Sequence, residues 1–171
     1  MNAEQLRTRQ APLKSRYAES PASACAQFTA SGRIDMENLV CRVDTPAVAA
    51  DVTTAGLHVM AGGDGTAVCA GEMLLQSLVA CSGVTFAAVA TAMGLEIRSA
   101  GITAAGEMDF RGTLGVDRQT PVGFTKMTLT FDIDSDEAEE KIAKLIQLTE
   151  RYCVVLQTLQ HSCEISSVRM A

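Results

Sequence analysis

The chain has no tryptophan, two tyrosines and five phenylalanines, and its 14 basic residues are outnumbered by 20 acidic ones. Nucleic-acid binders need a basic footprint, and single-strand binders also need aromatic platforms on which bases stack. A net charge of −6 and an aromatic content of 4% therefore point away from DNA and RNA. Histidine is scarce, with His58 and His161 alone, and no two of the six cysteines form a CxxC pair. A structural zinc site with the usual close ligand spacing is not expected, and nothing calls for another metal or a cofactor. The opening MNAEQLRTRQAPLKSRYAES lacks the apolar run of a signal peptide. The expectation is a cytoplasmic protein whose cysteines are mostly reduced, so that a disulfide would be catalytic rather than structural.

What the chain does have is one long apolar stretch, Gly71 to Leu95, with no charge between Glu72 and Glu96. It is apolar all round, which marks either a membrane span or a helix enclosed by protein. Gln76, Ser77, Ser82, Gly83, Thr85 and Thr91 dilute it, and it has neither a basic flank nor an aromatic belt. It reads as the buried central helix of a protein without a membrane partner.

The other elements fall around that helix. Residues 1–24 are polar, with scattered arginines, and read as a flexible arm holding at most a short helical turn. Residues 25–171 read as a single domain. Strands are expected at Cys25–Thr29, before a turn at Ser31-Gly32, and at Leu39–Val43, stopped by Asp44-Thr45-Pro46, with a further segment at Gly56–Met60. Ala61-Gly62-Gly63-Asp64-Gly65 lacks the spacing of a phosphate loop and reads as a tight turn. Strands follow at Ile97–Phe110 and Phe124–Ile133, joined by a long hairpin connection. Asp134-Ser135-Asp136 with Glu137, Glu139 and Glu140 signals a helix start. That helix runs to Arg151 or Tyr152, a second short one begins at Cys153, and a last strand covers Cys163–Met170. The sum is an α+β domain.

Cysteine in a buried helix is usually a small hydrophobe, and that is the default for Cys81. Cys153 sits at a polar junction beside Glu150 and Arg151, which is an odd place for core packing. Cys41, Cys69 and Cys163 are expected to pack, with Cys69 a lesser redox candidate. His58 and His161 read as surface or satisfied side chains, and the methionines as core filler or the lining of an apolar pocket.

The run Gly71-Glu72-Met73-Leu74-Leu75-Gln76-Ser77-Leu78-Val79-Ala80-Cys81-Ser82-Gly83 resembles the signature of the OsmC/Ohr family: a small-residue turn, an acid, a Leu-rich helix and then Ala-Cys. Gly62-Gly63-Asp64-Gly65 falls at that family's glycine turn, and Glu150-Arg151-Tyr152-Cys153-Val154-Val155 matches its second cysteine. The likeness runs from about Cys25 to the C-terminus and is closer to the general OsmC-like branch than to the hydroperoxide reductases proper. It implies an antiparallel sheet wrapped around a long buried central helix in an intertwined homodimer.

The activity implied is a cysteine-based peroxidase of the oxidative stress response, reducing organic hydroperoxides. Cys81 would be the peroxidatic thiolate and Cys153 the resolving thiol, with a dithiol such as dihydrolipoamide as reductant. The family places an Arg and a Glu near the peroxidatic sulfur. Glu72 is the candidate acid, although the reductases carry theirs one residue earlier, where this chain has Gly71. Arg33 is the first choice for the arginine and Arg42 the second, with Arg111 a third. Cys153 is followed by Val154 where the reductases often have Pro. The alternative is a dimeric OsmC-like protein that binds a small apolar ligand and has lost the Arg–Glu activation.

Overall fold

In a computed structural model, residues 1–44 and 53–169 are described. The expected stop at Thr45-Pro46 and the last residue of the expected final strand, Met170, lie outside them. The chain folds as two compact units, one of residues 10–76 and 104–128, the other of 1–9, 77–103 and 129–171.

The first unit is built on a four-stranded sheet, β1 (Ser31–Asp35), β2 (Val40–Asp44), β3 (Thr53–Gly56) and β4 (Val68–Cys69), in that order. β1 and β2 are antiparallel, β2 and β3 likewise, and β3 runs parallel to β4. The register sets Arg33 directly opposite Arg42. Two like charges so placed repel, and each is answered by a carboxylate: Asp44 lies 3.3 Å from Arg33, and Asp35 lies 3.6 Å from Arg42. The first strand is displaced from its expected place. Cys25–Thr29 has no regular structure and is exposed, whereas Ser31-Gly32, read as a turn, opens β1. Gly32 is needed there for close approach, because a Cβ would stand 2.9 Å from Cys41 Sγ.

The glycine-rich turn behaves as read. Gly62 (φ 91°) closes the 3₁₀ turn Val59–Ala61, and Gly63 leaves no room for a Cβ, which would lie 1.8 Å from the Leu57 carbonyl oxygen. It delivers the chain through β4 into α2 (Ala70–Met93). Farther along, β5 (Ser99–Met108) and β6 (Phe124–Asp134) pair as a two-stranded sheet, with the short helix α3 (Phe110–Thr113) in their connection.

The second unit holds most of α2, with α4 (Glu139–Tyr152) and α5 (Val154–Gln160). Leu78, Ser82, Phe86 and Ala90 are the buried residues of α2, one stripe at helical spacing. Phe86 and Ala90 pack with Leu145 of α4, and Val89, Met93, Leu95, Ile97, Ile102, Phe131 and Ile133 close around them. The opposite side of α2 is not covered among the described residues. Ala80, Val84 and Ala87 are exposed, Val84 by 74%. Within one chain, burial therefore covers one face of α2. By length and composition α2 is also the one helix among the described residues able to cross a membrane.

Three further expectations change. In place of a short turn, Ala3–Glu19 forms one helix, α1, none of whose residues is buried. Its start is a reciprocal cap: Asn2 Oδ1 accepts from Gln5 N–H at 2.9 Å, and Gln5 Oε1 accepts from Asn2 N–H at 3.0 Å. At α4 the first helical residue follows Ala138, which offers no side-chain cap. The acids expected to cap it are engaged elsewhere, since Asp134 and Asp136 both hold Arg98. Ser135 instead accepts from Glu137 N–H at 3.1 Å while donating to the Glu96 carbonyl at 2.7 Å. The final strand does not form: residues 163–169 are exposed and irregular. The mismatch in parity between Cys163-Ile165 and Val168-Met170 left that segment without one apolar face.

Candidate active site around Cys81 and Cys153

Two elements of the second unit bring two cysteines together. Cys81 lies on α2, half-buried. Cys153 is the one residue between α4 and α5, ending the first and capping the second in extended backbone conformation (φ −71°, ψ 108°). Its N–H donates to the Thr149 carbonyl at 2.9 Å, and its sulfur accepts from Leu156 N–H at 3.5 Å. Cys153 is wholly buried. Ser82 is also wholly buried, and its hydroxyl is 3.3 Å from Cys153 Sγ.

The Cys81 sulfur meets four donors. Burial pushes its thiol up, but the N–H of Val155, the Cys153 thiol, the N–H of Val154 and the Thr85 hydroxyl all favour the thiolate, and together they hold it below the ordinary cysteine range. A thiolate is the nucleophilic form of cysteine. The surroundings can therefore favour a charged sulfur, and a second thiol beside it can react with whatever that sulfur becomes. Because the shift is downward, alkylation of Cys81 by iodoacetamide should reach half its maximal rate at a lower pH than for a free cysteine. The mass of the Cys81 peptide followed against pH reads this directly, and a midpoint at or above the free-cysteine value would contradict the arrangement.

The other candidates lie in the first unit. Glu72 stands in the first turn of α2, where its carboxylate accepts from Cys69 N–H at 3.0 Å. This is the back-bond of an N-terminal cap, a helix-starting role. The neighbouring Gly71, where the reductases carry their acid, is roofed by Phe124: a Cβ there would lie 3.4 Å from the ring. Arg33 and Arg42 are exposed and held by Asp44 and Asp35. Arg111 is held by Asp109. Each of the three arginines thus has a carboxylate partner of its own.

Of the remaining cysteines, Cys41 and Cys69 are half-buried, and Cys25 and Cys163 are exposed. Cys163 accordingly does not pack as expected, the strand meant to hold it being absent. His58 Nδ1 accepts from Met60 N–H at 3.1 Å and its ring stacks on Phe110 at 4.9 Å. Among the described residues no three His, Cys, Asp or Glu side chains gather as a metal site would require. A groove of about 540 Å³ runs beside α2, lined by Val79, Phe86, Ala90, Leu95, Ile97 and Ile102 among others, with no methionine. Ser82 and Thr85 were not singled out from the sequence. The signal was present, since Thr85 is one helical turn beyond Cys81 and shares its face.

The fold recurs in solved structures of low sequence identity. An OsmC-like protein from Mycoplasma pneumoniae is 16% identical, with a TM-score of 0.65 over 80% of this chain and 89% of that one. An organic hydroperoxide resistance protein OsmC from Legionella pneumophila is 14% identical, with a TM-score of 0.58 over 80% and 92%. The organic hydroperoxide resistance protein OhrB of Bacillus subtilis is 18% identical, with a TM-score of 0.54 over 80% and 94%. No curated protein matches the chain by sequence. The sequence model of OsmC-like proteins matches residues 63–168, more than half of the chain and inclusive of both Cys81 and Cys153. With the glycine turn, the apolar helix and the two-cysteine junction in the family's order, this chain belongs to the family of OsmC-like proteins.

Proposed function

We propose that the protein is a thiol-dependent peroxidase that reduces organic hydroperoxides, with Cys81 as peroxidatic and Cys153 as resolving cysteine. The observation that carries this reading is the junction of α4 and α5, which buries Cys153 with its sulfur 3.3 Å from the hydroxyl of Ser82, the residue next to Cys81, and the donors around Cys81 hold its thiol below the ordinary cysteine range. The names of the Legionella and Bacillus relatives, both hydroperoxide resistance proteins, support the substrate class. In this chain the thiolate draws on the N–H groups of Val154 and Val155, so activation need not wait for a guanidinium. Glu72, Arg33 and Arg42 remain in the proposal as residues that act when substrate is bound.

The Cys81 thiolate attacks the hydroperoxide, the O–O bond breaks, and the alcohol leaves with Cys81 as sulfenic acid. Cys153 then closes a disulfide with loss of water, and a dithiol such as dihydrolipoamide reopens it. The acting unit is a homodimer in the cytoplasm, part of the response to oxidative stress. What supports a second copy is the uncovered apolar side of α2, Ala80, Val84 and Ala87, which water covers poorly and a like helix covers well.

Titration of the reduced protein with cumene hydroperoxide tests the reading. It should consume one peroxide and two thiols per chain and yield a Cys81–Cys153 disulfide by mass spectrometry, from a particle of twice the 18.1 kDa chain mass. Slow oxidation spread over several cysteines would sink it. The second reading, a dimer that binds a small apolar ligand without turnover, rests on the pairing of Arg33 with Asp44 and of Arg42 with Asp35, and on the apolar groove beside α2. It predicts no disulfide in the same experiment.

A further inference from the structure

Ser82 follows the peroxidatic candidate on α2, yet it serves the other cysteine. Its hydroxyl is wholly buried, 3.3 Å from Cys153 Sγ, which is wholly buried as well. The other buried residues of α2, Leu78, Phe86 and Ala90, are apolar. A buried hydroxyl persists in such surroundings only where it is hydrogen-bonded, and the sulfur is the partner the structure gives it among the described residues. Alanine is the better helix former, so neither helix propensity nor apolar packing asks for an oxygen here.

We propose that Ser82 is a positioning residue for disulfide closure: its hydroxyl holds the Cys153 sulfur on the side facing Cys81 and donates to it as it attacks. The proposal rests on the peroxidase reading and extends it to a residue that reading did not use. In the closing step the Cys153 sulfur bonds to the Cys81 sulfur and the S–O bond of the Cys81 sulfenic acid breaks. The departing hydroxide takes the proton released by the Cys153 thiol and leaves as water. The two thiols have then supplied the two electrons that reduced the hydroperoxide to alcohol.

During closure negative charge builds on the Cys153 sulfur before it passes to oxygen. That sulfur is shut off from water, so the charge must be met by protein donors. Leu156 N–H supplies one at 3.5 Å. The Ser82 hydroxyl is placed to supply the second. In the reduced enzyme either partner of the Ser82–Cys153 bond can donate, but a sulfur that is losing its proton can only accept. The bond therefore strengthens as the reaction proceeds, the property required of a group that speeds a step rather than merely filling space.

The test compares full-length wild type and Ser82→Ala, both reduced and mixed with cumene hydroperoxide. Samples are quenched with dimedone at successive times, and mass spectrometry separates trapped Cys81 sulfenic acid from the Cys81–Cys153 disulfide. The expected result is an unchanged rate of sulfenic acid formation, disulfide closure slowed about tenfold, and transient accumulation of the trapped species. Ser82→Thr, which keeps the hydroxyl, should recover most of the closure rate. Closure in Ser82→Ala at the wild-type rate would overturn the proposal, and so would equal slowing of both steps, the mark of a purely structural role. Absence of any Cys81 sulfenic acid or disulfide in wild type would instead overturn the peroxidase reading beneath it.

Discussion

Cys81→Ser should lose hydroperoxide consumption by on the order of a thousandfold or more, whereas Cys153→Ser should still react once and stop. The difference follows from what each sulfur does. Cys81 carries the attack, and a serine hydroxyl in its place stays protonated at neutral pH and is a far weaker nucleophile. With the four donors around it left unused, the site keeps its shape and has nothing to react with. Cys153 acts only after the first bond has broken. Its serine variant should form one sulfenic acid per chain at a rate within a few-fold of wild type and give no disulfide, because no second thiol is in contact with Cys81. Stopped-flow measurement of peroxide loss together with the mass of the trapped product distinguishes the two variants. Equal activity in Cys81→Ser and wild type would move the chemistry to another cysteine. Loss of the first turnover in Cys153→Ser would mean that its thiol is needed for attack as well as for closure.

Leu145→Ala should produce the largest loss of stability at a position away from the cysteines. Leu145 has no exposed surface and packs against Phe86 and Ala90, where α4 meets the buried stripe of α2. Truncation there removes the transfer free energy of the side chain and leaves a void that a helix-on-helix contact fills badly, together about 2–5 kcal/mol. Urea unfolding followed by circular dichroism measures it. Ile165→Ala is the counterpart at the surface. Ile165 is 85% exposed in an irregular segment, and its truncation should stay within about 0.5 kcal/mol. If Leu145→Ala cost no more than Ile165→Ala, the α2–α4 contact would not be the core of its unit.

The order of elements was legible because its signals are local. An uncharged run bounded by Glu72 and Glu96 announces α2, alternation of Met127, Leu129 and Phe131 with Thr128, Thr130 and Asp132 announces β6, and acids at 139 and 140 announce α4. What was misread depended on partners the local pattern does not name. β1 took Ser31-Gly32 because Gly32 is the residue that lets Cys41 come close. Asp134 and Asp136 did not cap α4 because Arg98 claimed them from the neighbouring strand segment. The α1 cap was readable, as Asn2 and Gln5 stand at the spacing of a reciprocal cap, but polarity all along the helix left it without the apolar stripe that marks a docked one. At the site, Cys81 and Cys153 stood out by context, yet their contact joins residues far apart in sequence and no spacing rule reaches that distance. Ser82 and Thr85 became visible only once that contact placed them. For the arginine, sequence order offers Arg33 and Arg42 but not their surroundings: the β1–β2 register sets them opposite each other and beside Asp44 and Asp35.

The break between α4 and α5 has a thermodynamic consequence. Cys153 caps α5 with its own sulfur, and the amides that reach Cys81 belong to Val154 and Val155, in the turn that this cap opens. Loss of the acceptor that the Cys153 side chain offers Leu156 N–H thus loosens the donors that set the charge on Cys81, besides removing the sulfur beside it. The free-energy effects of changes at positions 81 and 153 are for that reason not additive, and a double-mutant cycle between them reports the backbone turn as much as the thiols. Serine at 153, which can accept from Leu156 N–H, leaves that turn closed, whereas alanine opens it. Such a cycle should therefore find the two cysteines coupled, with the first turn of α5 as the link.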